Sequence, residues 1–207
     1  MDKLAYTSVN AMKSLMNRQT AIANNMANSN TVGFKADMVS AKAQYLNGPG
    51  HDSRAMSVDR PMQADMNPGA LTQTGRPLDV ALEGDAMFTV QAADGSEAYS
   101  RRGDFQVNAS GAMVTGAGFP VLGENGPITI PPSDRVEVGA DGTVFAVPQG
   151  GDPTQPEEVG KLKLVSMTGS AISKGPDGLF RVADDGALPV DENARVVPGA
   201  LEGSNVN

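Results

Sequence analysis

The first 27 residues carry a spacing of side chains that constrains the fold more than any other feature of the chain. Positions separated alternately by four and three residues are Ala, Val, Met, Met, Gln, Ala and Met, at residues 5, 9, 12, 16, 19, 23 and 26. This spacing places the side chains along one narrow stripe of an α-helix that packs against other helices. The sequence therefore predicts one long amphipathic helix over residues 3–27. Asn28, Ser29 and Asn30 should end it, because their side chains compete for backbone hydrogen bonds.

The predicted helix needs a partner for its apolar stripe. Leu4, Leu15 and Ile22 widen the stripe, and no other segment of the chain has helical periodicity of similar quality. Methionines at helical spacing are usually ordinary packing residues, but their flexible thioethers also suit interfaces with several neighbours. We therefore predict that the helix packs against other protein chains and serves in assembly. The predicted assembly residues are Leu4, Val9, Met12, Leu15, Met16, Ile22 and Met26.

The composition changes abruptly near residue 47. Only one of the 24 Gly and none of the 14 Pro precede this point. Beyond it, short segments of strand-forming residues are separated by turns such as Asp94-Gly95 and Asp141-Gly142, which favour β-hairpins. The sequence predicts a mainly β fold with an N-terminal α-helix. It divides into an assembly segment at 1–33, an extended linker at 34–75 and, at 76–200, a turn-rich β domain of barrel or sandwich type.

The charged and polar residues exclude several functions. The formal net charge of −8 leaves the chain without the basic surface that nucleic acid requires. The chain has no Cys, and its single histidine, His51, has no second metal ligand nearby in the sequence. No apolar run is long enough to span a bilayer, and the N-terminus lacks the pattern of a cleaved signal peptide. We expect no cofactor, no metal site, no membrane insertion and no enzymatic activity.

Four blocks of sequence, in order along the chain, resemble a known family. The block from Asn24 to Lys35 is similar to the A-N-N-[LIM]-A-N-x-x-T-x-G-[FY] signature of bacterial flagellar rod and hook proteins. Residues 75–85, segments within 99–123 and residues 201–207 are similar to later parts of the same family. The residues that carry the resemblance are Asn24, Asn25, Asn28, Thr31, Gly33 and Phe34 in the signature, and Gly75, Pro77, Leu78 and Gly84 in the β region.

The resemblance implies a structural subunit of the proximal rod in the flagellar basal body. Such a subunit polymerises through its terminal helix to build the periplasmic drive shaft for motility. It also implies export by the flagellar type III apparatus without a cleaved signal peptide, and contacts with that apparatus, with other rod proteins and with copies of itself.

Two further expectations accompany this assignment. Residues 201–207 resemble the start of a C-terminal segment, so we expect a helix after Asn207 that pairs with the N-terminal helix. The alternative functions are a distal-rod or hook subunit of the same family, and a secreted β adhesin. An adhesin would explain the many turns but not the helix or the Asn-rich block.

Overall fold

A computed structural model describes residues 2–39, 41–45, 55–59, 63–182 and 186–207, and for residues 2–7, 41–45 and 55–59 it describes the backbone alone. Over this part of the chain, one α-helix precedes twenty short β-strands. The prediction of a mainly β fold with an N-terminal helix is therefore confirmed. His51 lies outside the described residues.

The helix, α1, is Asp2–Ala27, which agrees with the predicted range to within one residue. It ends where short polar residues follow, because their side chains bind carbonyl groups that the last turn leaves free. Asn28 Nδ2 donates a hydrogen bond to the Asn24 carbonyl at 2.9 Å, and Ser29 Oγ donates to the Met26 carbonyl at 3.0 Å. The Asn-rich block therefore terminates the helix as its sequence predicts.

The strands are short and are often joined by tight turns. Gly95 and Gly142 have φ angles of 84° and 83°, and the strands on either side of each turn pair as antiparallel hairpins. Both predicted Asp-Gly hairpins are confirmed, because glycine adopts positive φ without steric cost. In chain order the strands are β1 (Asp37–Met38), β2 (Ala41–Tyr45), β3 (Ala55–Asp59), β4 (Gln63–Ala64), β5 (Leu71–Gln73), β6 (Val80–Leu82), β7 (Ala86–Gln91), β8 (Glu97–Ser100), β9 (Phe105–Val107), β10 (Met113–Thr115), β11 (Leu122–Gly123), β12 (Gly126–Pro127), β13 (Ser133–Val138), β14 (Thr143–Pro148), β15 (Glu157–Lys161), β16 (Leu164–Ser166), β17 (Ile172–Lys174), β18 (Phe180–Val182), β19 (Val196–Pro198) and β20 (Ala200–Glu202).

Two larger antiparallel sheets build the β body. One has five strands in the order β16-β7-β8-β18-β17, and the other has three in the order β13-β14-β15. A single core cluster contains Phe88 from the first sheet and Val144 from the second. It also contains Phe105, whose ring meets that of Phe88 edge-on with 4.9 Å between centroids. Among the described strands neither sheet closes on itself, so the body is sandwich-like and the barrel alternative does not fit.

Strand pairs bring distant parts of the chain together beside this body. β20 pairs with β5 and β19 pairs with β6, so residues near 70–82 lie next to residues near 196–202. Residues 34–75, predicted as an extended linker, contain β1 to β5, and the division of the chain into 1–33, 34–75, 76–200 and 201–207 stays a prediction. Within the described residues, no helix has the length and apolar character needed to cross a membrane.

Candidate functional site

The predicted assembly stripe of α1 is open to solvent. Its described apolar side chains are between 61% and 77% exposed. An exposed row of large apolar groups on one helix face is characteristic of a surface that another protein covers. The backbone of Leu4 belongs to α1, while its side chain lies outside the described set. We call these exposed residues the apolar stripe: Val9, Met12, Leu15, Met16, Ile22 and Met26.

The opposite face of α1 packs against the protein itself. The helix lies alongside β1 and β3. Ser14 and Ala21 are buried, and Asn17 and Asn25 are half-buried, on the face that points away from the apolar stripe. The helix therefore has partners within the chain, but they contact the face opposite the apolar stripe. Small side chains let the backbone of the helix approach the strands closely, whereas the large apolar groups remain outside.

The Asn residues of the signature connect the helix end to the strand that follows. Asn25 makes two hydrogen bonds with the backbone of Asp37. Its Nδ2 donates to the Asp37 carbonyl at 3.0 Å, and its Oδ1 accepts from the Asp37 N–H at 2.8 Å. Asn24 Nδ2 donates to Asp37 Oδ2 at 2.5 Å. Thr31 Oγ1 donates to Asn28 Oδ1 at 3.1 Å within the turn. These amides thus hold the chain reversal between α1 and β1.

Gly33 and Phe34 bring the chain from this turn into the β body. Gly33 has a φ of 65°, and its N–H donates to the Glu202 carbonyl at 2.8 Å. An added Cβ would lie 2.5 Å from the carbonyl carbon of Arg101, so only glycine fits here. The Phe34 ring is buried beneath the ammonium of Lys174, which lies 3.6 Å from the ring centroid.

Three charged side chains form a buried cluster directly behind this segment. Lys35 Nζ donates to Glu202 Oε1 at 2.6 Å and to the Asn67 carbonyl at 2.8 Å. Arg101 binds the other carboxylate oxygen, with its Nε donating to Oε2 at 2.8 Å, and the Gly69 N–H donates to Oε1 at 2.9 Å. The side chains of Lys35 and Glu202 are each only 1% exposed. We call Lys35, Arg101 and Glu202 the buried charge cluster.

The β-region motif supports this cluster through Gly84. The Gly84 carbonyl accepts a hydrogen bond from Arg101 Nη1 at 2.7 Å, and the same nitrogen donates to the Ala86 carbonyl at 2.7 Å. Gly84 has a φ of 64° in the turn that leads into β7. Gly84 of the β-region motif therefore contacts the buried charge cluster through Arg101.

The other residues of the β-region motif form a neighbouring turn. Gly75 has a φ of 72°, and its N–H donates to the Gly199 carbonyl at 3.0 Å. Pro77 is exposed, and Leu78 packs against the main core. This turn shapes the loop around the buried Asp79, whose carboxylate accepts hydrogen bonds from Thr74 Oγ1 and Arg76 Nε. The functional roles assigned to all these motif residues stay predictions.

Comparisons with known proteins agree with the geometry. The family model for "Flagella basal body rod protein" matches residues 6–35, and that for "Flagellar hook protein FlgE/F/G D1 domain" matches residues 81–146. Flagellar basal-body rod protein FlgF of Salmonella typhimurium is 42% identical over 212 residues, which cover 100% of this chain and 84% of the relative. The chain belongs to the FlgF-like flagellar basal-body rod proteins.

Other members of the rod protein family are similar over the same span. FlgF of Escherichia coli K12 is 41% identical over 213 residues, covering 100% of this chain and 84% of the relative. Flagellar basal-body rod protein FlgG of Buchnera aphidicola subsp. Schizaphis graminum is 31% identical over 230 residues, covering 99% and 84%. The family resemblance inferred from the ordered sequence blocks is therefore confirmed.

Sequence patterns did not predict the charged residues that connect the segment after α1 with the β body of this rod protein. Lys35, Arg101 and Glu202 each lie in a block that resembles the family, but Lys, Arg and Glu are usually exposed to solvent, so the sequence alone does not predict that they are buried. Asp37 and Lys174 lie outside those blocks. A signal exists for Lys35 and Glu202, since both are flanked by apolar or glycine residues that are themselves buried or half-buried in the structure. Arg101 has no such signal, because its neighbours are the polar Ser100 and Arg102.

The environment of Glu202 keeps its carboxylate ionised in this rod protein. Burial acts to raise the pKa of Glu202. The hydrogen bond from Lys35, the charge of Arg101 and the hydrogen bond from Gly69 N–H together outweigh burial, so the pKa lies below its ordinary value of 4.5. Ionised Glu202 therefore contributes to the stability of the folded chain at neutral pH, whereas burial lowers the pKa of Lys35 and so opposes the charge of that side chain.

We expect the stability of the rod protein to fall at acidic pH, because Glu202 then becomes protonated. Its pKa is lower in the folded than in the unfolded chain, so its contribution is complete above about pH 4.5 and is lost as the pH falls through the folded-state value. Urea unfolding between pH 7 and pH 3 measures this loss. The variant Glu202→Gln should show a shallower decline, because all other carboxylates remain in both proteins. Equal declines in the two proteins would contradict the assignment.

Proposed function

We propose that this rod protein is a structural, non-enzymatic subunit of the proximal rod of the flagellum. The observation that carries the proposal is the apolar stripe, which the chain holds exposed while the opposite face of α1 packs against the body. Burying one such side chain contributes about 1.5–3 kcal/mol. Six of them would supply a large part of the free energy that holds neighbouring subunits together. The stripe thus serves as the contact through which the subunit polymerises.

The location and partners of the subunit follow from the same proposal. We expect it in the periplasmic part of the basal body, where it contacts other rod proteins and copies of itself. We also expect it to pass through the flagellar export apparatus without losing a signal peptide. Its α1 would lie in an inner helical layer, and its β body would face outward. This arrangement is supported by the distribution of exposed apolar groups, because six of the ten large apolar side chains exposed among the described residues lie on α1.

A charge placed on the apolar stripe should block assembly. We expect Met16→Asp and Ile22→Asp each to abolish motility, because a carboxylate would have to be desolvated in the interface between subunits. The measurement is swimming in soft agar by a deletion strain that carries each variant. The matched control is Arg18→Gln, which changes the net charge by the same single unit at an exposed position beside the stripe.

Two results would count against this role of the stripe. Normal swimming by both aspartate variants would exclude the stripe as an essential contact. Loss of swimming in Arg18→Gln would show that net charge, and not the apolar surface, is what matters. Circular dichroism of the purified variants should show an unchanged β body, because the stripe makes no contribution to its core.

The distal rod or hook remains the alternative location within the same family. The FlgG relative supports it, but at 31% identity compared with 41–42% for the two FlgF relatives. Electron microscopy of basal bodies from the deletion strain distinguishes the two locations by the part of the rod that is missing. A deletion strain that swims normally would instead favour the secreted adhesin.

A further inference from the structure

One carboxylate connects the end of α1 with the far edge of the large sheet. Asp37 Oδ2 accepts the hydrogen bond from Asn24 on the helix, and Asp37 Oδ1 accepts one from Lys174 Nζ on β17 at 3.0 Å. Asn25 forms hydrogen bonds with both the N–H and the carbonyl of Asp37. Asp37 also pairs with Ala64 across β1 and β4. Helix, connecting segment and sheet therefore meet at a single side chain.

Lys174 is fully engaged on the sheet side of this connection. Its ammonium donates to Asp37 Oδ1 and, at 2.8 Å, to the Lys35 carbonyl, and it lies over the Phe34 ring. The side chain of Lys174 is 9% exposed and that of Asp37 is 11% exposed. Charged hydrogen bonds shielded from water in this way are stronger and more directional than neutral ones at a surface. Such contacts restrict the angle between two elements as well as their distance.

We propose that Asp37 and Lys174 are positioning residues that set the direction in which α1 leaves the β body. With Asn24 and Asn25 they form what we call the Asp37 clamp. The clamp binds the side of α1 opposite the apolar stripe, so it turns the stripe away from the body and toward a neighbouring subunit. The benefit for assembly rests on the proposed function, whereas the orientation itself is a property of the isolated chain.

The absence of cysteine from the sequence makes this orientation measurable. Spin labels can be attached after Gln19→Cys on α1 and Ala109→Cys in the turn between β9 and β10, both exposed positions. Double electron–electron resonance then gives the distribution of distances between helix and body. With the clamp intact we expect one narrow peak. Lys174→Gln and Asp37→Asn should each replace that peak with a broad distribution, while the thermal unfolding midpoint of the β body changes little.

A matched control separates the clamp from a general loss of charge in the body. Lys163 forms an ion pair with Glu97 at 2.6 Å within the β body, and Lys163→Gln removes the same charge there. We expect this control to keep the narrow peak. Retention of the peak in a folded clamp variant, or its loss in the control, would overturn the proposal. If Lys174→Gln fails to fold, Asp37→Asn decides the result. These distances are measured on the single chain, so the outcome does not depend on whether the chain forms rods.

Discussion

Replacing Glu202 with Gln is expected to lower the free energy of unfolding by about 3–5 kcal/mol. The substitution leaves Lys35 and Arg101 buried without their common anion, and the cost of two uncompensated charges far exceeds that of one lost hydrogen bond. Because these residues belong to segments far apart in the chain, the loss should also loosen the junction between the helix and the β body. Urea unfolding at pH 7, followed by circular dichroism, measures the change.

The control for this prediction is an ion pair at the surface of the same body. Glu124 and Lys161 are 3.5 Å apart and both are partly exposed. We expect Glu124→Gln to change the free energy of unfolding by less than about 1 kcal/mol. Similar losses for Glu124→Gln and Glu202→Gln would show that the buried charge cluster contributes no more to the free energy of unfolding than a surface ion pair does.

Replacing Gly33 with Ala is expected to destabilise the chain by at least about 2 kcal/mol. A left-handed backbone costs a non-glycine residue roughly 1–2 kcal/mol, and crowding in a packed site adds about 1–3 kcal/mol. Both costs apply here, since Gly33 has a φ of 65° and the new methyl group would meet the backbone of Arg101 and Arg102. Thermal and urea unfolding of the variant measure the total.

Gly75 provides the comparison that separates these two costs. Its φ is 72°, but an added Cβ would have no neighbour within 4 Å. Gly75→Ala should therefore show only the cost of the backbone conformation, and Gly33→Ala should show the larger loss. If the two variants are equally stable, the close approach between the signature segment and Arg101 does not contribute to the stability of the junction.

Both substitutions concern the place where the helix joins the body, and this place matters for a rod subunit. In the proposed rod, torque passes between subunits, so a subunit that polymerises through α1 has to resist bending between α1 and its β body. Gly33, Lys35 of the buried charge cluster and Asp37 of the Asp37 clamp all lie in residues 33–37, shortly after α1, and each contacts a distant part of the chain. A loose junction would leave the apolar stripe intact and still weaken the shaft.

Local patterns in the sequence predicted the elements that depend on neighbours along the chain. The 4-3 spacing located α1, and the Asn residues after Ala27 marked its end. Asp94-Gly95 and Asp141-Gly142 located two hairpins, because their backbone geometry depends on glycine alone. The ordered blocks identified the family. These predictions succeed because each depends on a few adjacent residues.

The order of residues is enough to predict one amphipathic helix, a β body rich in turns and a flagellar family signature. Which face of the helix touches the body emerges only in the folded chain, since the face with Ser14 and Ala21 carries no hydrophobic pattern. The sandwich-like form and the pairing of Lys35 with Glu202 likewise emerge only on folding. Those two residues are separated by most of the chain, and only the folded backbone brings them within 2.6 Å. A pattern of residue spacing cannot predict a contact between two residues that lie far apart in the sequence.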